Sequence, residues 1–130
     1  MTVDGEQLRQ VAAARAGTLP GAELSYPFGP EWDVWKVGGK VFLLQTALRG
    51  EPLTTVKADP ADGQMLCEAL PEISPGYHMN KKHWITVRSG RSIDAELVED
   101  LVTDSYLLVV ERLPKAKRPV DPTTFGKHDE

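Results

Sequence analysis

The stretch EWDVWKVGGKVFLLQTA, residues 31–47, decides the fold. Its first half alternates, with Trp32 and Val34 on one side of an extended chain and Trp35 and Val37 on the other. Gly38 and Gly39 then separate it from a second apolar run, Lys40 to Ala47. Glycine adopts positive φ at no steric cost, so two glycines between two such runs specify a hairpin closed by a primed turn. The sheet is therefore expected to be antiparallel.

Outward from the hairpin the pattern changes period. Leu53 to Ala58 reads as another strand, and Asp59-Pro60 as a helix start, since aspartate caps free amides and proline fits the first helical position. That helix carries Met65, Leu66, Ala69 and Leu70 on its apolar side and must end at Pro71. HWITVR is a strand with Trp84 and Thr86 on one face and Ile85 and Val87 on the other. After the turn SGRS, the run from Ile93 to Leu113 has Leu97, Leu101, Leu108 and Val109 near helical spacing, with Pro114 as its stop. Upstream, Leu8, Val11, Ala12 and Ala16 predict an amphipathic helix over Val3–Ala16, with Thr2 as cap and Gly17 as stop; AELSYPFGP adds a short extended segment. The order is α-β-β-β-β-α-β-α, which predicts an α+β two-layer sandwich: an antiparallel sheet with helices mainly on one face. Residues 1–118 form the expected single domain, and 119–130 a patternless tail expected to be flexible.

The 130 residues carry a net charge of −4, the wrong sign for a protein whose whole surface grips phosphate. Distribution matters more than the sum. Residues 76–92 hold Lys81, Lys82, Arg88 and Arg91 and no acid; residues 93–111 hold Asp94, Glu96, Glu99, Asp100, Asp104 and Glu111 and no base; RLPKAKR, 112–118, is basic again. A local basic face on an acidic protein follows from such segregation. No window approaches the roughly 18–20 apolar residues of a membrane span, and the N-terminus lacks a basic region followed by an apolar one. With one cysteine, Cys67, and hence no internal disulfide, a cytoplasmic protein is expected.

Four stretches carry a resemblance: YPFGPEWDVWKVGGKVFLL (26–44), VKADP (56–60), PGYHMNKKHWITV (75–87) and DSYLLVVERLPK (104–115). In these the chain resembles the MmcQ/YjbR family of small bacterial proteins, described as having a CyaY-like or double-wing fold and labelled DNA-binding. The resemblance implies the same α+β sandwich and a DNA-binding role. It brings no catalytic residue set.

The residues themselves narrow the chemistry. His78, His83, His128 and Cys67 are the only imidazole and thiol groups, and the five-residue step from His78 to His83 matches no standard zinc spacing, so neither metal nor cofactor is expected. There is no glycine-rich phosphate loop and no Gly-x-Ser-x-Gly. Cys67 lies within a short helix beside Leu66, where a small hydrophobe is ordinary. The expectation is a non-enzyme. Asn80, Lys81, Lys82 and His83 offer donors at a loop entering a strand, as a wing would approach a phosphate backbone. Arg88 and Arg91 bracket the next turn, and Lys115, Lys117 and Arg118 are candidates to extend the patch. Few of these side chains suit bidentate base readout, so the expected binding is weak and not sequence-specific. The alternative is a protein-interaction or small-ligand module on the sheet face that helices leave open, with Trp32, Trp35, Tyr77 and His78 as candidate ligand or stacking residues.

Overall fold

The computed structural model describes residues 3–77 and 79–125. In chain order it contains α1 (Gly5–Thr18), β1 (Ala22–Ser25), β2 (Asp33–Val37), β3 (Lys40–Leu48), β4 (Glu51–Lys57), α2 (Pro60–Ala69), β5 (Ile73–Pro75), β6 (Trp84–Val87) and α3 (Ala95–Val110), followed by a single 3-10 turn at Lys115–Lys117. The strands form one antiparallel sheet in the order β1-β2-β3-β4-β6-β5. The expected α+β architecture holds, with one strand more than the pattern predicts. That strand, β5, has three residues and ends on Pro75; proline lacks the N–H a central ladder needs and is tolerated here because β5 is an edge.

Local chemistry places the turns and caps. Gly38 and Gly39 take φ of 58° and 80°, as a primed turn requires. A second hairpin joins β3 to β4 through Arg49 and Gly50, both at positive φ. Helix α1 starts at Asp4 rather than Thr2, since the Asp4 carboxylate accepts from the Gln7 N–H while the Gln7 side chain accepts from the Asp4 N–H; Thr2 lies outside the described residues. The helix also runs through Gly17, the expected stop, to Thr18. Asp59 and Pro60 open α2 as expected, and Asp94 caps α3 by accepting from the Leu97 N–H.

All three helices cover one face of the sheet. The register sets Trp35, Leu43, Val56 and Ile85 opposite one another across four strands. Leu43, Val56 and Ile85 share a buried cluster with Leu8 and Ala12 of α1 and with Val102 and Tyr106 of α3, while Trp35 packs against it. Helix α2 reaches the same face where Gly63 approaches Ile85. A bulge between Trp35 and Lys36 leaves Phe42 as an extra residue on β3, so the consecutive Phe42 and Leu43 are both buried. Phe42 meets Tyr106 edge-on at 5.4 Å. Ser105 stitches α3 to two strands: its hydroxyl donates to Phe42 O at 2.6 Å and accepts from Lys57 N at 2.8 Å. Burial pushes the Tyr106 phenol up to about 12, and its O–H donates to Pro20 O. Of the stretch read as a tail, Val120 and Phe125 pack against the core, Phe125 with its ring 6.0 Å from Tyr106.

Gly76 shows how tightly the last strand is approached. A Cβ there would lie 2.7 Å from Trp84 Cβ and 3.0 Å from the Trp84 carbonyl oxygen, closer than van der Waals contact allows. Gly76→Ala is expected to lower stability by about 1–3 kcal/mol in urea denaturation, as overpacking does. Gly17→Ala is the control. Its nearest new contact, Trp35 Cη2, lies at an ordinary 3.8 Å. Replacing a helical glycine there is expected to leave stability unchanged or raise it by about 0.5–1 kcal/mol.

Candidate nucleic-acid interface

The loop between β5 and β6 is built by its own polar groups. Gly76 N–H donates to Trp84 O at 2.8 Å, and Tyr77 N–H donates to Thr86 Oγ1 at the same distance. Thr86 Oγ1 is also 2.9 Å from Thr55 Oγ1 on the neighbouring strand, so one buried hydroxyl pair holds the loop to the sheet. Asn80 closes the turn twice, its side chain accepting from Lys82 N–H at 2.9 Å and its carbonyl from His83 N–H at 3.2 Å. Asn80 thus builds the turn with its two oxygens, and His83 with its backbone N–H. Lys81 uses one ammonium hydrogen on Gly76 O at 3.0 Å yet remains exposed. Lys82 is exposed and makes no side-chain hydrogen bond or ion pair among the described residues. His78 lies outside the described residues.

The other predicted cations divide between two ends of the sheet. Lys81 and Lys82 precede the first residue of β6, whereas Arg88 and Arg91 follow its last, about 10 Å along the strand. Arg88 is neutralised there by Glu51 at 3.5 Å and donates to Ser74 Oγ at 3.1 Å; Arg91 is exposed. Arg118 closes the C-terminus of α3, donating to Leu113 O at 2.9 Å and Glu111 O at 2.7 Å. Lys115 and Lys117 are exposed on the 3-10 turn beyond that terminus.

Three cations missed in the sequence lie at the same end of the sheet as Lys81 and Lys82. Lys40 opens β3, Lys57 closes β4, and Arg112 follows the last turn of α3. With Val41, Trp84 and Val109 they line a cleft of about 440 Å³. Lys81 and Lys82 line a neighbouring cleft of about 540 Å³ against Ala61, Gln64 and Cys67 of α2, and Trp84 is a wall of both. Lys57 Nζ sits over the Trp84 ring, 5.3 Å from its centroid, as a cation–π contact. Burial first, and then the Arg112 guanidinium, hold the Lys57 ammonium below its ordinary value. Acids collect beyond Lys57, where Asp59, Asp62, Asp104 and Glu111 line a separate cleft. Burial, reinforced by Asp100 and Asp62, raises the Asp104 carboxyl. Glu99 is turned to Arg15 of α1 at 3.3 Å. Nothing local in the sequence links Lys40, Lys57 and Arg112; only strand register and the end of α3 bring them together.

The aromatic candidates separate by face. Trp35 lies under α1 on the helix face, with Gly17 close above its ring. Trp32 lies on the opposite face, where it lines a cleft of about 390 Å³ with Phe28, Leu44, Tyr77 and Met79, and meets Phe28 edge-on at 6.5 Å. Val34, Leu44, Thr55 and Thr86 on that face are all buried, and Phe28, Trp32, Tyr77 and Met79 cover part of what the helices leave bare. Cys67 sits at the Lys81–Lys82 cleft with its thiol pushed up by burial and by Glu68, which disfavours the thiolate. Among the described residues no three His, Cys, Asp or Glu side chains are grouped to hold a metal ion, and no helix is long and apolar enough to cross a membrane.

Comparison with known proteins bears on the whole arrangement. A family model described as YjbR matches residues 17–108. The uncharacterized protein YbdF of Escherichia coli O157:H7 is 48% identical over 113 residues, spanning 87% of this chain and 93% of its own. The uncharacterized protein YjbR of Escherichia coli K12 is 30% identical over 99 residues, spanning 76% and 84%. A crystal structure of a Deinococcus radiodurans protein with a DUF419 domain superposes with a TM-score of 0.75 at 36% identity, covering 88% of this chain and 85% of that one. A Pseudomonas syringae protein shares the fold at a TM-score of 0.64 and 23% identity, covering 77% and 95%. None of these names an enzymatic activity.

Thr86 is the residue on which the loop's position depends. Thr86→Val keeps the shape but leaves the Tyr77 N–H and the Thr55 hydroxyl without their partner. The urea midpoint is expected to fall by the equivalent of about 2 kcal/mol, the cost of stranding buried polar groups. An unchanged midpoint would mean the loop is held to the sheet by other contacts.

Proposed function

The chain belongs to the YjbR family, and on that footing we propose that it is a non-enzymatic nucleic-acid-binding protein whose phosphate contacts come from the sheet end around Trp84. The observation that carries the reading is the gathering of Lys81, Lys82, Lys40, Lys57 and Arg112 around one tryptophan on a chain of net charge −4. Cations concentrated in neighbouring clefts raise the local potential far above what the net charge suggests, and a polyanion is the partner such a field attracts. Lys81 and Lys82 are exposed point charges, suited to phosphate oxygens and not to bidentate base recognition. The binding is accordingly weak, salt-sensitive and tolerant of sequence. Arg88 and Arg118 are committed to Glu51 and to the end of α3, and leave the candidate set. Such a role would be exercised in the cytoplasm.

A second reading draws on the aromatic cleft lined by Trp32. Phe28, which lines the cleft with Trp32 and Leu44, is 64% exposed, and Tyr26, two residues before it, is 52% exposed. Rings so exposed favour a protein or small-ligand contact there.

A salt titration of duplex DNA binding separates the two. Lys81→Ala/Lys82→Ala is expected to weaken binding and to flatten the slope of log affinity against log salt by about 1.8, roughly 0.9 for each phosphate no longer neutralised. Arg88→Ala/Arg91→Ala is expected to leave that slope unchanged. No binding at low salt, or the same slope in wild type and the lysine variant, would contradict the proposal.

A further inference from the structure

We propose that Lys40, Lys57 and Arg112 form a discrete site for a single phosphate group, a site that stands whether or not Lys81 and Lys82 meet a nucleic-acid backbone. Three separate elements deliver the three cations to one cleft, and that cleft has no acidic lining. A lysine ammonium offers three donors and an arginine guanidinium five. Among the described residues none of these side chains makes a hydrogen bond or ion pair, and the one aromatic contact is that of Lys57 with Trp84. Folding has therefore brought like charges together without giving them protein acceptors among the described residues.

Bringing like charges together carries a cost, and Arg112 adds to the burial that already lowers the Lys57 ammonium. An anion seated between them converts that repulsion into attraction and satisfies the donors at once. A phosphate monoester fits better than a carboxylate. It presents three oxygens and close to two charges at neutral pH, and so can meet cations arriving from three directions. The apolar walls, Val41, Val109 and Trp84, make room for the organic part of the molecule, and about 440 Å³ lies within the range of small-ligand clefts. The acids beyond Lys57 line a different cleft and do not enter this one.

The test is thermal denaturation with inorganic phosphate, at constant ionic strength maintained with chloride. Wild type is expected to show a saturable rise in Tm, roughly 4–7 °C at ten times Kd. Arg112→Gln and Lys40→Gln are expected to abolish the rise. Arg112→Gln without phosphate is expected to melt no lower than wild type, because Lys57 loses its repelling neighbour; loss of the response is then not loss of the fold. Lys81→Ala/Lys82→Ala is expected to keep the response, which separates this site from the duplex-binding proposal. Competition identifies the source of the phosphate: stronger displacement by a 5′-phosphorylated tetranucleotide assigns a nucleic-acid end, and stronger displacement by ribose 5-phosphate a small molecule. A rise that never saturates, and is equal in wild type and Arg112→Gln, would be general salting stabilisation and would overturn the proposal.

Discussion

The close crossing of Gly76 over Trp84 is the constraint on which the rest of the molecule depends. Gly76 N–H bonds to Trp84 O at 2.8 Å, and the contact is possible only because residue 76 has no side chain. From that crossing the chain runs one residue to Tyr77, whose N–H is taken by Thr86, and then through the Asn80 turn to Lys81 and Lys82. The same crossing fixes the start of β6, and with it the position of Trp84 between two clefts. A loop rich in functional side chains is thereby made rigid at its base while its lysines remain in water.

Charge is organised around that base. On one side of Lys57 the wall is cationic, on the other it is acidic, and Lys57 lines both clefts. Two fields of opposite sign a few ångströms apart partly cancel at a distance but not within each cleft, where low-dielectric walls preserve the local potential. This is how an acidic protein presents a cationic end. It also explains why Arg88 and Arg91 do not belong to it: four residues of extended chain carry them to the opposite end of the sheet, where Glu51 waits.

How much could be read in the sequence followed the range of the forces involved. The β2–β3 hairpin was legible because Gly38 and Gly39 alone determine it, and α2 because Asp59-Pro60 is a local start signal. β5 was not, since three residues ending in proline become a strand only by pairing Ile73 with Val87. The bulge at Phe42 was hidden for a similar reason, being set by packing against Tyr106. At the site, Lys81 and Lys82 stood out as neighbours in a run, whereas Lys40, Lys57 and Arg112 are the ends of three elements and become neighbours only in the folded sheet. Arg118 looked available as a donor, but nearby backbone carbonyls occupy it, while Asn80 serves the turn as an acceptor.

The central claim is that the Trp84 end of the sheet, and not the aromatic cleft lined by Trp32, is where the protein meets its partner. Titrating short duplex DNA into uniformly ¹⁵N-labelled protein at low salt tests it most directly, because the three tryptophan indole signals report on three different places. Trp84 lies at the basic end, Trp35 under α1 and Trp32 in the aromatic cleft. The expected result is that the Trp84 indole and the amides of residues 81–84 shift in proportion to added DNA while the Trp32 indole stays still. Shifts centred on Trp32, Phe28 and Met79, with Trp84 unmoved, would contradict it.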